Sequence, residues 1–222
     1  MRIDILTLFP EMFKGPFDES IVKRARNKKL VEIKIHNLRK WATDRRGTID
    51  DRPFGGGVGM IMMVEPIYKA LKELRRGLPK ETWVILLSPR GTVFTQKIAH
   101  NLSRQKQLIF ICGHYEGTDE RIRELVDEEI SIGDYVLTGG ELPAMIMTDT
   151  IVRLIPGVLE KCEATKHDSF SPILEYPQYT RPETFKDWSV PKILLTGDHK
   201  KIEEWRKKES LKITKKRRPD LL

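Results

Sequence analysis

Cysteine and long apolar runs are both scarce in this chain of 222 residues. The two cysteines, Cys112 and Cys162, cannot form a disulfide framework and do not have the spacing of a CxxC metal site. The five histidines also lack the spacing of metal ligands, so we expect no structural metal. No stretch approaches the roughly 18 apolar residues of a membrane span. The start, MRIDILTLFP, lacks the features of a signal peptide, so we expect a cytoplasmic protein.

The net charge of +8 is unevenly distributed along the chain. Residues 176–222 hold 13 Lys and Arg against 7 Asp and Glu, whereas residues 1–175 hold 27 against 25. A nearly neutral body followed by a basic piece favours a polyanionic partner, because contacts with phosphates release counterions. The alternative is a lysine-rich surface of the kind that heat-adapted proteins carry. Charge alone leaves both interpretations open.

Strand and helix patterns alternate along most of the chain, which predicts an α/β fold with a mostly parallel sheet flanked by helices. Apolar runs and period-two alternation identify the strands, and apolar residues at helical spacing identify the helices. The predicted strands are residues 2–9, 31–38, 83–87, 108–112 and 128–132, and the predicted helices are residues 18–29, 66–76, 95–104, 119–126, 142–155 and 198–211.

Three glycine-containing turns follow three successive predicted strands. They are LSPRG at 87–91, GHYEG at 113–117 and SIGDYVLTGGELPA at 131–144. Ligands of open α/β sheets collect at the carboxyl ends of strands, and glycine allows another group to approach the main chain closely. The turns therefore predict one shared pocket for a flat ligand. The alternative is that they are simple tight connections.

The long segment at 41–59 contains three arginines and the tract GGGVG. It is not a phosphate-binding P-loop, because no Lys-Ser/Thr follows the glycines, and it lacks the third glycine of a Rossmann motif. Loops of this length are more often functional than idle. We therefore predict a mobile flap over a ligand or RNA, with an Ω-loop held by Asp–Arg pairs as the alternative.

The glycine-containing segments resemble the cofactor-binding segments of the bacterial tRNA (guanine-N1)-methyltransferases, which are TrmD-type members of the SPOUT class. The resemblance extends to LFPEMF at 8–13, DDRPFGGG at 50–57 and YTRP at 179–182, so it covers nearly the whole chain. It implies a deep trefoil knot around the cofactor segments, although threaded loops are rare in proteins. It also implies S-adenosylmethionine as methyl donor, tRNA as partner, and a homodimer that packs through the apolar helix at 142–155.

Three regions are expected along the chain: the resemblance implies the first, and the lack of a sustained period predicts the linker. Residues 1–157 are predicted to be the knotted catalytic domain, residues 158–178 a flexible linker, and residues 179–222 a small basic helical domain that binds RNA. Asp198 is expected to cap the helix of that domain. Relatives often continue further, so the domain is expected to be minimal.

Methylation of a guanine at N1 needs a base for the N1 proton and a hydrogen-bond donor for O6. The resemblance implies Asp168 as the base and Arg153 as the donor, in an active site shared between subunits, on the guanine just 3′ of the anticodon (position 37). Magnesium is possible but is not implied by the sequence. The alternatives are a knotted ribose 2′-O-methyltransferase and a non-enzymatic RNA-binding protein.

Further site residues follow from the same correspondence. Glu116 has an alternative role, as the N-cap of the helix predicted at 119–126. Arg52, Arg181, Lys207 and Lys208 are predicted to contact RNA phosphates. The implied cofactor-binding residues are Leu87, Ser88, Pro89, Gly113, Tyr115, Glu116, Ile132, Gly133, Asp134, Tyr135, Val136, Leu137, Gly139, Gly140 and Pro143.

Overall fold

Two compact units, Met1–Leu159 and Glu160–Leu222, make up the chain. Cys162 and part of the linker predicted at 158–178 lie outside the described residues, as does the last residue of the helix predicted at 66–76. No helix among the described residues is long and apolar enough to cross a membrane. The computed structural model describes residues 1–75, 82–160 and 168–222.

The first unit is built around a sheet of five strands. The strands of this unit are β1 (Arg2–Thr7), β2 (Glu32–Asn37), β3 (Asp50–Asp51), β4 (Ile61–Met62), β5 (Thr82–Val93), β6 (Gln107–Cys112) and β7 (Glu128–Ser131). The sheet has the order β2–β1–β6–β5–β7 and every neighbouring pair in it is parallel, while β3 and β4 form a separate antiparallel pair. The prediction of a mostly parallel α/β fold is confirmed.

Helices cover both faces of this sheet, so its central strands are apolar on both sides. One apolar cluster includes Ile5 and Phe110, and the other includes Leu6 and Ile109. All six residues of β6 are buried, and Cys112 at its end is fully buried. The helices of this unit are α1 (Ser20–Asn27), α2 (Val64–Leu74), α3 (Gln96–Leu102) and α4 (Glu141–Val152).

The prediction of an α-helix at 119–126 is wrong, because residues Glu120–Leu125 form a 3-10 helix. Asp119 caps it by accepting a hydrogen bond from the main-chain N–H of Arg121. A 3-10 helix rises about 2.0 Å per residue, more than an α-helix does, so six residues span a longer connection to β7. Because Asp119 is the cap, the alternative role of Glu116 as an N-cap is also wrong.

Strand β5 is longer than predicted and contains the LSPRG turn as a bulge. Leu87 and Thr92 both lie opposite Ile130 of β7, so residues 88–91 project from the sheet. A Cβ atom at Gly91 would lie 2.4 Å from main-chain atoms of β7, and only glycine fits there. The bulge therefore places these residues at the carboxyl edge while β5 continues beyond them.

Helix α4 carries Pro143 in its first turn, where no N–H is needed, and it ends at Val152 rather than at the predicted Ile155. Leu154 and Ile155 instead donate main-chain hydrogen bonds to residues three positions earlier, so the chain continues as a tight turn. Residues buried on α4 lie on several of its sides, as its apolar composition predicts. The strand order and the return of the chain from β7 to α4 are consistent with the trefoil knot that the resemblance implies.

The second unit holds one long helix and a small hairpin. Its elements are β8 (Thr184–Phe185), β9 (Trp188–Ser189), a 3-10 helix at Lys192–Leu195 and α5 (His199–Arg217). Asp198 caps α5 by accepting from the N–H of Lys201 at 3.1 Å, as predicted. The helix extends beyond the predicted end at residue 211, because its last turns are anchored. Thr214 is fully buried and accepts a hydrogen bond from the N–H of Leu174 at 3.1 Å.

A buried carboxyl group lies within the sheet, at Asp4 of β1. It contacts His36 Nε2 at 2.7 Å, Gln107 Nε2 at 2.7 Å and Arg2 Nη2 at 2.8 Å. Burial opposes ionisation of Asp4 and is the largest single influence on its pKa. The hydrogen bonds from His36, Arg2 and Gln107 together outweigh burial, so the pKa lies below its ordinary value.

We expect Asp4 to make the stability of the protein depend on acid pH. Since its folded-state pKa is lowered, its contribution is fully present above the ordinary pKa of about 4 and is lost as pH falls through the folded value. Asp4→Asn should therefore flatten the acid side of the stability curve. Chemical denaturation between pH 7 and pH 3 measures this, with Asp187→Asn, an exposed aspartate, as the control. An equally steep acid limb in Asp4→Asn would contradict the assignment.

Candidate active site

The bulge in β5 and the turns after β6 and β7 surround a cavity of about 360 Å³ at the carboxyl edge of the sheet. Every predicted cofactor-binding residue lines this cavity except Asp134. The structure thus brings the three turns together, while their binding of a cofactor stays a prediction. Sequence reasoning missed several lining residues that lie in the same turns or directly beside them, and their closeness in sequence to predicted ones was the available signal. They are Arg90, His114, Gly117, Thr118, Ile130, Ser131 and Thr138.

A larger and more open groove, of about 740 Å³, lies elsewhere on the first unit. It runs between α1 and β2, and charged side chains such as Lys23 and Glu32 line it. Arg26 in this groove is already paired with Asp18, at 2.7 Å. None of the predicted site residues lies in it. The smaller cavity is therefore the candidate site.

Main-chain hydrogen bonds connect the turns around the cavity. The N–H of Gly140 donates to the carbonyl of Gly113 at 2.8 Å, and His114 pairs with Gly139 in an antiparallel bridge. Within the turn at 131–144, the N–H of Tyr135 donates to the carbonyl of Gly133 at 2.9 Å. The walls are therefore fixed by the backbone, which leaves side chains and remaining main-chain groups to face a ligand.

The floor of the cavity depends on a glycine at position 140. A Cβ atom there would lie 2.6 Å from the Cα of Cys112 and 2.9 Å from the main-chain nitrogen of Gly113. The Cys112 thiol beneath it has a pKa well above its ordinary value because of burial and then of the nearby Glu141. A thiol with a raised pKa is a poor nucleophile, so this cysteine serves packing.

The segment at 41–59 is joined to the GHYEG turn at its far end. The N–H of Glu116 donates to the carbonyl of Met60 at 3.1 Å, and the N–H of Met62 donates to the carbonyl of Gly117 at 2.9 Å. Phe54 in the middle of the segment is fully exposed. The arrangement leaves an exposed tip between fixed ends, as a flap requires.

The start of the same segment is closed by Asp44, whose carboxyl group accepts from the N–H and the hydroxyl of Thr48 at 2.8 and 2.7 Å. Within the part of the chain that the structure describes, no ion pair joins an aspartate of this segment to one of its arginines. These contacts therefore do not support the alternative of an Ω-loop held by Asp–Arg pairs. Arg52, predicted to contact RNA, is exposed near the tip.

Arg90 of the β5 bulge lines the cavity and belongs to a cluster of charged side chains. Arg90 donates to Glu120 at 3.0 Å, and Arg123 donates to the other oxygen of Glu120 at 3.0 Å. Hydrogen bonds from Arg123 and then Arg90 lower the pKa of Glu120. Arg90 also lies 3.6 Å from Glu129. Arg90 and Arg123 are thus held by carboxyl groups of the first unit.

The two predicted catalytic residues belong to different units. Arg153 is the C-cap of α4 in the first unit and is partly buried. Asp168 is partly buried in the second unit. Among the predicted RNA contacts there, Lys207 pairs with Glu203 at 3.6 Å, which partly neutralises it. Arg181 and Lys208 are exposed.

Known proteins match this chain over its whole length. A family model described as tRNA (Guanine-1)-methyltransferase TrmD matches residues 1–222. The tRNA (guanine-N(1)-)-methyltransferase of Dictyoglomus turgidum is 56% identical over 223 residues, which cover all of this chain and 90% of that protein. The proteins of the same name from Dehalococcoides mccartyi and Bacillus cereus are each 53% identical over 224 residues, covering all of this chain and 90% and 92% of those proteins. The chain therefore belongs to the TrmD family of tRNA (guanine-1)-methyltransferases.

Proposed function

We propose that this enzyme transfers a methyl group from S-adenosylmethionine to N1 of the guanine immediately 3′ of the anticodon of tRNA, at position 37. The observation that carries the proposal is the cavity at the carboxyl edge of the sheet. The segments that correspond to the family's cofactor-binding segments meet there and line it almost without exception. A tRNA substrate supports a cytoplasmic location for the reaction.

The cavity fits a donor of this size and chemistry. Its volume of about 360 Å³ lies within the range of small-ligand sites. Leu87, Ile132 and Leu137 offer apolar surface for an adenine ring, and Glu116 offers a carboxyl group for a cationic centre. Gly140 keeps the main chain of the floor accessible. When bound, the donor supplies the methyl group as a sulfonium electrophile.

Two residues of the chain act on the guanine: one accepts its N1 proton and the other stabilises the negative charge on O6. The N1 atom forms its bond to the methyl carbon as the carbon–sulfur bond breaks, and the N1 proton passes to the carboxylate of Asp168. The guanidinium of Arg153 donates to O6, where negative charge develops. Arg153 lies near the carboxyl end of α4, where a cation is also favoured by the helix dipole by about 0.3–1 kcal/mol.

The active site is completed by a second copy of the chain. Leu142 and Ile146 on α4 are 46% and 47% exposed, and Val136 in the preceding loop is 85% exposed. Leu142 and Ile146 are four residues apart and share one helix face. An exposed apolar face beside the cavity supports a homodimer that packs there and shares its active site.

The remaining regions bind the RNA. Residues 179–222 form the small basic RNA-binding domain, residues 158–178 connect it to the catalytic domain at 1–157, and Asp168 takes its place when RNA binds. Arg52, Arg181, Lys207 and Lys208 contact phosphates, and the excess positive charge of residues 176–222 supports this. A ribose 2′-O-methyltransferase is disfavoured by the full-length family match.

The test is methyl transfer from labelled S-adenosylmethionine to a tRNA transcript with guanine after the anticodon. We expect N1-methylguanine at that position, identified after digestion to nucleosides. The same transcript with adenine there should accept no label. Label in the ribose, or in both transcripts, would contradict the proposed site. No transfer despite measurable cofactor binding would point to a different RNA.

A further inference from the structure

Glu141, the first residue of α4, has a carboxyl group that is almost completely buried. Burying a carboxyl group costs more than burying an apolar side chain of the same size. Its neighbours along the helix, including Ala144 and Met147, are apolar and buried. The N-terminus of a helix favours a negative group, but that position alone does not require burial. The contacts of Glu141 provide the reason.

One oxygen of Glu141 is held from β1. The hydroxyl of Thr7 donates to Oε1 at 2.7 Å and itself accepts from the N–H of Phe9 at 2.9 Å. Phe9 in turn packs its ring against His114, with 4.8 Å between ring centres. The LFPEMF segment that begins after Thr7 is thereby connected to the wall of the cofactor cavity.

The other oxygen of Glu141 faces His114, whose ring lines the cavity. Glu141 Oε2 lies 3.9 Å from His114 Nδ1, and this nitrogen is buried without a hydrogen-bond partner among the described residues. A Cβ atom at Gly139 would lie 2.4 Å from each of these two atoms, so the glycine makes room for their approach. A shift of about 1 Å brings the two groups to hydrogen-bond distance.

We infer that Glu141 is a positioning residue for the cofactor, which holds the GHYEG turn against the cavity through His114 while Thr7 holds Glu141. The next residues of that turn, Tyr115 and Glu116, line the cavity, and Tyr115 contacts the His114 ring edge-on at 5.2 Å. Tyr115 has a positive φ of 61°, so its placement depends on its surroundings. Glu141 acts on cofactor affinity and not on the methylated guanine.

Thr7→Val is the main test, because it removes the hydroxyl at nearly constant volume. A matched control is Thr148→Val. Thr148 is also fully buried and lies on α4, about two helical turns after Glu141. The Thr148 hydroxyl has no hydrogen-bond partner among the described residues, so its loss should not reach the cavity. Thr7→Ser keeps the hydroxyl and is the rescue variant.

Calorimetric titration with S-adenosylmethionine should show an affinity about tenfold weaker in Thr7→Val, with Thr7→Ser and Thr148→Val close to wild type. In steady-state methylation, the KM for S-adenosylmethionine should rise about as much while kcat changes little. Glu141→Ala should weaken binding further, although it also leaves a cavity that lowers stability. The inference rests on the proposed function through its cofactor.

Equal affinities of Thr7→Val and Thr148→Val would overturn the inference and leave the proposed function intact. So would a loss of affinity in Thr7→Val that Thr7→Ser fails to restore. If the wild-type protein binds no S-adenosylmethionine, the proposed function fails first and the inference fails with it.

Discussion

Asp168→Ala and Arg153→Ala should each abolish methyl transfer while leaving the fold and the affinity for S-adenosylmethionine nearly unchanged. In the proposed mechanism, the loss of Asp168 leaves the N1 proton without a base, which should lower the rate by about 10²–10⁴. The loss of Arg153 leaves the charge on O6 without a donor, which should lower the rate by about 10²–10³. Neither residue lines the cofactor cavity, so binding of the donor should survive. Single-turnover methylation and calorimetry measure the two quantities.

Control variants separate chemistry from general damage. Asp187→Asn removes an exposed carboxyl group at the turn between β8 and β9 and should methylate normally. Arg153→Lys keeps the charge but not the planar fork, so we expect only partial recovery of the rate. Normal turnover in Asp168→Ala or Arg153→Ala would remove that residue from the mechanism.

Mixing the two inactive variants tests whether the active site is shared. In a homodimer whose sites combine Arg153 of one subunit with Asp168 of the other, a mixed dimer has one intact site. Random reassociation would then restore about a quarter of the wild-type activity. If both residues act within one subunit, or if the chain is a monomer, mixing restores nothing. The result thus also tests the proposed dimer.

Gly140→Ala should eliminate binding of S-adenosylmethionine and lower the stability of the protein. The added Cβ would lie 2.6 Å from the Cα of Cys112 and 2.9 Å from the nitrogen of Gly113, both of them main-chain atoms. Backbone in the buried end of β6 cannot move aside cheaply, so the GGELP segment must be displaced. The hydrogen bond from Gly140 to Gly113 would be lost with it. Calorimetry and thermal unfolding measure both effects.

Gly197→Ala provides the comparison for this change. Gly197 has a φ of 72° in the second unit, and a Cβ there meets nothing within 4 Å. Its replacement should cost about 1–2 kcal/mol of stability from backbone strain alone and leave cofactor binding unchanged. Cofactor affinity in Gly140→Ala that matches Gly197→Ala would show that the floor of the cavity adapts.

The sheet was predictable because its central strands carry nearly uninterrupted apolar residues. Strand β6 is buried on both faces, and an apolar run such as LIFIC is typical of a central strand in a parallel sheet. The length of β5 was not predictable, since Pro89 and Gly91 read as a turn that ends a strand. The strand resumes only because Gly91 lets the main chain of β7 come within 2.4 Å of where a side chain would lie.

The cavity could be located from glycine-rich turns at strand ends. The buried side chains that hold those turns in place could not be identified from the sequence. Glu141 reads as a helix-start carboxyl group in GGELPA, and its burial depends on Thr7, which is 134 residues earlier in the chain. Likewise, the pattern offered Glu116 as the cap and Asp119 as the first helical residue, whereas in the structure Asp119 is the cap. Such choices depend on tertiary contacts that a local pattern does not contain.

The place of β1 in the sheet also affects how the protein folds while it is being made. β1 lies between β2 and β6, and its pairing with β6 joins Arg2 to Gln107. Its last residue, Thr7, reaches its partner Glu141 only after 134 further positions have been added. Domains generally fold as units as they emerge from the ribosome, at about 5–20 residues per second. Strand β2 follows β1 by only about 30 positions, but β6 follows it by about 100, so β1 waits roughly 5–20 s for this second neighbour, a period in which its apolar side chains are open to chaperones.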